Sequence, residues 1–248
     1  FVLPSLFILM ALTWVYLRFG QVPVVAGIFY GIKPAVTAIV LFAAWRIGSR
    51  ALKNAWLWAI SAAAFIAIFL LELPFPLIVL RAGFTLRGLV HVLAVCGALW
   101  LAAMWALVLA LGWDDTLSQM AWFFTKAAFL TFGGAYAVLP YVYQAAVDAF
   151  GWLSPTQMID GLALGETTPG PLIMVVAFVG FVGAWSQQVF GAESLVLAGC
   201  AGAAVATFFT FLPSFLFIFA GAPFIESTHG NLDLTAPLTA ITAAGVGV

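Results

Sequence analysis

The sequence predicts an all-α polytopic membrane protein, built from two repeats with broken or re-entrant helices and present as a fragment. Three observations predict it. Of the 248 residues, 65% are hydrophobic and 7% charged, against roughly 25% charged in an ordinary soluble domain, and mean hydropathy is +1.19. Long runs rich in Leu, Ala, Val and Phe fill the chain, without the alternation of a barrel strand. Proline and glycine motifs interrupt these runs, and two short motifs recur along the chain in the same order. No single core hides that much apolar surface from water. A soluble enzyme, a secreted disulfide scaffold, a nucleic-acid binder and a disordered chain are therefore excluded. The net charge of −1 offers polyanions no basic face. Cys96 and Cys200 lie inside apolar runs and read as small buried hydrophobes.

The apolar runs are 1–17, 22–45, 55–71, 73–82, 88–112, 119–149, 171–187, 195–222 and 235–248. A crossing helix needs about 20 apolar residues. The run 73–82, entered through Leu73-Pro74-Phe75-Pro76, is too short to cross alone and reads as a half-span or as the edge of a linker. Phe132-Gly133-Gly134 and Pro140 interrupt 119–149, and Pro213 sits inside 195–222, where it predicts a break. Arg46, Arg50 and Lys53 cluster in one loop, which the positive-inside rule places in the cytoplasm, with Arg81 and Arg87 on the same side. Asp114 and Asp115 suit the outer side, and the loop 223–234 leaves its side open. The chain opens on Phe1 within an apolar run, without a signal-peptide pattern, and closes on Gly245-Val246-Gly247-Val248. Both ends read as cuts inside helices.

Leu3-Pro4-Ser5-Leu6-Phe7 recurs as Leu212-Pro213-Ser214-Phe215-Leu216, and Val36-Thr37-Ala38-Ile39 as Leu238-Thr239-Ala240-Ile241, in the same order. This divides the chain into the end of a first repeat (1–82), a linker with the first helix of the second half (83–118), and a second repeat (119–248) whose signature region is 126–171 and which is truncated at its C-terminus. Duplicated membrane folds with interrupted helices are typical of secondary transporters, which bind substrate near the midplane.

The chemistry concentrates in 151–171. Ser154-Pro155-Thr156-Gln157 has the form of a capping box with Pro at the first helical position, and starts a helix expected to end at Gly165. At about 11 residues that helix crosses only half a bilayer. Gly161 and Gly165 leave room for a second helix to approach. In Glu166-Thr167-Thr168-Pro169-Gly170-Pro171 two prolines forbid helix interior, and Pro171 suits the first turn of the next helix, to about Gln187. A helix N-terminus there presents free N–H groups to an anion. The competing reading is a surface turn between two helices.

Thr167, Thr168 and the Gly170 backbone are thus candidate substrate-binding groups, with Lys126, a cation inside an apolar stretch, and Gly133 and Gly134, which permit close approach. Lys126 reads alternatively as a lysine snorkelling to the interface. Lys33, before Pro34, is the candidate cation of the first repeat, with the same alternative. Glu166 and Asp160 are candidate proton carriers, or plain caps. Pro169, Pro171 and Pro213 are the expected helix breaks. No catalytic group, metal-ligand cluster or cofactor motif is recognisable.

The segments Phe129-Leu130-Thr131-Phe132-Gly133-Gly134-Ala135-Tyr136-Ala137-Val138-Leu139-Pro140, Gly151-Trp152-Leu153 and Asp160-Gly161-Leu162-Ala163-Leu164-Gly165-Glu166-Thr167-Thr168-Pro169-Gly170-Pro171 closely resemble the chromate ion transporter (CHR) family. Gly31-Ile32-Lys33-Pro34-Ala35-Val36 and Pro74-Phe75-Pro76 look like that family's first half. The resemblance implies a multi-pass transporter of the bacterial inner membrane with two homologous halves in opposite orientations. It implies export of chromate, with sulfate as a second candidate, driven by membrane potential or a proton gradient. No cofactor and no nucleic acid is implied; the lipid bilayer is the obligate surrounding, and a homodimer is a candidate assembly. The alternatives are a transporter of another small anion, a membrane-embedded enzyme without a recognisable motif, and an assembly subunit.

Overall fold

A computed structural model describes residues 2–25, 27, 30–32, 34, 86–130 and 138–227. All regular structure among them is helical. Helix α1 covers Val2–Phe19 and α2 Leu86–Leu111. Helix α3 covers Thr116–Leu130. Helix α4, Leu139–Tyr143, carries Pro140 in its first turn and runs into a π-helical stretch at Gln144–Ala149. Helix α5 is Pro155–Thr167. Helix α6, Val175–Ser186, follows a 3-10 turn at Leu172–Met174, and α7, Leu195–Ser227, follows another at Ala192–Ser194. Val2–Phe19, Val90–Leu111 and Ala192–Ala220 are long and apolar enough to cross a membrane.

Helix α6 is the axis of the core. Every residue from Val175 to Ala184 is buried, as expected of a helix that is apolar all round. Helices α1, α3, α5 and α7 pack around it. The closest approach is to α7, where Gly180 faces Gly202: a Cβ at either would lie 2.3 Å or 2.1 Å from the other's carbonyl oxygen. Two glycines at that crossing let the backbones meet. Helix α3 buries Leu117, Met120, Phe123, Phe124 and Ala127. The Trp100 indole of α2 donates to Thr125 Oγ1 at 2.9 Å, and its ring stands edge-on to Phe209 of α7 at 6.4 Å. That seam ties α2, α3 and α7 together. Between α2 and α3, Asp115 caps the start of α3, accepting from the Leu117 N–H at 2.8 Å.

The helix start at Ser154 is as the residues predict. The hydroxyl of Ser154 accepts from the Gln157 N–H at 3.3 Å, and the Gln157 side chain accepts from the Ser154 N–H at 2.8 Å. The helix ends at Thr167, two residues beyond the glycine expected to stop it. Gly165 is instead used for packing, with Val175 across from it, as Gly161 lies against the Phe178 ring. Pro171 is extended (φ −64°, ψ 137°) and precedes the next helix rather than opening it.

Pro213 corrects an expectation. It does not break the chain: α7 is helical from Leu195 to Ser227. Proline lacks the N–H that would bond to the Phe209 carbonyl, and the nearby hydroxyls bond other carbonyls of the helix. Thr210 donates to the Ala206 carbonyl at 2.7 Å and Ser214 to the Thr210 carbonyl at 3.3 Å. Packing of Phe209 and Pro213 against neighbours offsets the lost bond.

Candidate functional site

The candidate site lies where α5 ends and α6 begins. The two helices run antiparallel, since Gly161 pairs with Phe178 and Gly165 with Val175. The non-helical residues 168–171 are the tip of this hairpin. Thr168 is the last residue tied to α5: its N–H and its hydroxyl both reach the Leu164 carbonyl, at 3.1 Å and 2.7 Å. Its backbone then turns extended (φ −83°, ψ 132°), as a residue before proline must. Thr167 is exposed and donates to the carbonyls of Ala163 and Leu164, at 3.0 Å and 3.1 Å. Both hydroxyl protons thus point back into α5, and what the tip presents from Thr167 is an oxygen lone pair until the hydroxyl rotates. The first N–H groups of the 172–174 turn have no carbonyl behind them in their own helix.

Helix α1 closes the hairpin from the side. The Ser5 hydroxyl donates to the Pro169 carbonyl. Eleven residues on, the Tyr16 hydroxyl donates to Asp160 Oδ2 at 2.7 Å, and the Tyr16 ring lies 5.7 Å from that of Phe178. Both contacts fall on the buried stripe of α1 that holds Ser5, Leu6, Leu9 and Thr13. Asp160 is buried inside the hairpin and Glu166 is half-buried in the last turn of α5.

Of the candidate residues, Thr167, Thr168, Pro169, Gly170 and Pro171 come together at the tip, with Glu166 one residue away. Asp160 lies two turns back along α5, against Tyr16. Lys126 is on α3. It is exposed, on the same face of α3 as Trp122 and Phe129, with Nζ 5.8 Å from the Trp122 ring centroid. Lys33, Gly133 and Gly134 lie outside the described residues. Two polar partners of the site were not singled out for it. Ser5 carried a signal only as part of the repeated Leu-Pro-Ser, and Tyr16 carried none. Among the described residues no cluster of His, Cys, Asp and Glu could hold a metal ion.

These features define an all-helical membrane protein in which a non-helical polar tip joins two of the helices. The chain belongs to the chromate transporter family, whose model matches residues 1–89 and 118–248. It is 35% identical over 264 residues to the chromate transport protein of Pseudomonas aeruginosa, and 31% over 260 residues to that of Cupriavidus metallidurans, covering all of this chain and 60% of each relative. It is 28% identical over 261 residues to a probable chromate transport protein of Synechococcus elongatus, covering all of this chain and 62% of that one. The chain therefore spans about 60% of the length of these curated relatives. No solved structure matches it.

Proposed function

We propose that this chain forms part of a multi-pass transporter that exports chromate across the bacterial inner membrane, with sulfate as a second substrate. The observation that carries the reading is the hairpin tip at 168–171, a non-helical segment with Thr and Gly backbone groups, seated beside α6, which is buried from Val175 to Ala184. Helix α5 has 13 residues and α6 has 12. At 1.5 Å per residue each is roughly 20 Å long, short of the ~30 Å hydrocarbon core. Antiparallel pairing sends both outer ends to one side, so the pair enters and leaves by the same face and its tip lies at membrane depth. Irregular backbone is tolerated there only against protein or a water-filled path.

A tetrahedral dianion suits that tip. It loses a large hydration energy in a low-dielectric site and needs several fixed donors. The Gly170 N–H, the first N–H groups of the 172–174 turn, and the hydroxyls of Thr167 and Thr168 after rotation supply them. Gly133 and Gly134 belong to the proposed binding set by residue type alone, since glycine permits close approach. Glu166 and Asp160 are the proton-coupling candidates, because a carboxylate beside the path repels the dianion when ionised and releases it on deprotonation. Lys126, exposed beside Trp122, acts as a cation on the access path, as Lys33 does in the first repeat. The two repeats lie in opposite orientations, and a homodimer is the assembly we favour.

Chromate efflux from vesicles, with sulfate competing, tests this reading. Sulfate is expected to inhibit competitively, because both dianions offer the same acceptor set. Lys126→Met is expected to raise the half-saturation for chromate about threefold with little change in maximal rate, since steering alters local concentration and not the site. Efflux that ignores sulfate argues for a narrower substrate, and no chromate efflux at all rejects the reading.

A further inference from the structure

The repeated Leu-Pro-Ser motif has no role in the function proposed so far, yet its serine touches the hairpin tip. Ser5 is fully buried. Its hydroxyl donates to the Pro169 carbonyl, and its side chain fills the space a Cβ would need at Gly170: such an atom would lie 1.8 Å from Ser5 Oγ and 2.7 Å from Ser5 Cβ. Gly170 therefore has no side chain because Ser5 stands in its place.

The Pro169 carbonyl and the Gly170 N–H belong to one planar peptide, which is trans. In a trans peptide the two groups point in opposite directions. A hydroxyl that holds the carbonyl toward α1 therefore turns the Gly170 N–H away from α1. Without it, the peptide rotates about ψ of Pro169 and φ of Gly170, and glycine imposes little resistance to that rotation. A rotated peptide would present a carbonyl oxygen where the anion needs a donor, and would repel it.

We infer that Ser5 is a positioning residue for substrate binding: it fixes the Pro169–Gly170 peptide so that its N–H, and not its carbonyl, faces the anion. This rests on the reading that the 168–171 tip binds the substrate. The serine acts from the first repeat on the break of the second, so the two repeats meet at the site through it.

The test uses the intact transporter in vesicles, with chromate as the transported ion and three sets of variants. Ser5→Ala is expected to raise the half-saturation for chromate about tenfold, as loss of one aligned donor to a charged ligand does, with the maximal rate within about twofold. Half-saturation does not depend on how much protein inserts, so a lower yield does not blur the result. Gly170→Ala is expected to lower the folded amount sharply, and Ser5→Gly in the same chain to restore it, because the colliding atoms are then gone. Thr167→Val/Thr168→Val separates the two ideas. If it raises half-saturation while Ser5→Ala does not, the tip binds substrate and Ser5 does not position it. If neither changes half-saturation, the tip is not the site and the role of Ser5 falls with it. A Gly170→Ala protein that folds and transports normally beside an intact Ser5 also overturns the inference.

Discussion

Gly202→Leu is expected to abolish the folded protein. At the crossing of α6 and α7 a Cβ on Gly202 would lie 2.1 Å from the Gly180 carbonyl oxygen and 2.5 Å from the Ala184 Cβ. These are backbone and near-backbone atoms, which cannot swing aside as the end of a long side chain can. The helices must separate to admit a branched side chain, and α6 is the element on which α1, α3, α5 and α7 all pack. Overpacking in a dense core costs about 1–3 kcal/mol when side chains can adjust, and here the cost lies at or above the top of that range. Detergent-solubilised protein is expected to aggregate or to melt far below the parent. Gly97→Ala is the control. Nothing lies within 4 Å of a Cβ at Gly97, so it is expected to melt at or slightly above the parent, because alanine favours the helix by about 1 kcal/mol.

Collapsing the membrane potential is expected to reduce chromate export more than any single substitution outside the core. Moving one charge through 100 mV is worth about 2.3 kcal/mol, so a dianion leaving a negative interior gains about 4.6 kcal/mol. That corresponds to roughly three decades of concentration gradient at about 1.4 kcal/mol per decade. Export of the bare dianion needs no companion ion, whereas uptake would. Vesicles clamped at zero potential with the pH gradient intact are expected to accumulate little chromate gradient. An undiminished gradient under that clamp would assign the driving force to protons, and to Glu166 or Asp160 as their carriers.

The helix start at Ser154 was legible in the sequence because its determinants are local. A hydroxyl, a proline and a glutamine within four residues satisfy one another's backbone groups without reference to the rest of the fold. The interruption at Pro169 and Pro171 was legible for the same reason: proline rules act on its own and adjacent residues. Pro213 was not, because whether a helix survives a proline depends on the packing around it, and Phe209 and Pro213 are both buried. Lys126 shows a related limit. Hydrophobicity does not tell which face of α3 turns outward, because Ser118 and Thr125 are buried while Trp122 and Phe129 are exposed, and Lys126 lies with Trp122 on the exposed face. Ser5 and Tyr16 were hidden more deeply. Their partners, Pro169 and Asp160, are 164 and 144 residues away, and a single hydroxyl in an apolar helix does not announce a distant carbonyl or carboxylate.

The proposed function stands or falls with the binding of the transported anion at the tip between α5 and α6. Chromate transport kinetics of the Thr167→Val/Thr168→Val protein in vesicles test it most directly, since valine keeps the shape of threonine and removes only the hydroxyls. A half-saturation raised at least about tenfold is expected, from the loss of two donors to a charged ligand, with the folded amount close to that of the parent. Unchanged half-saturation and rate in a folded protein would contradict it, and would place the anion elsewhere.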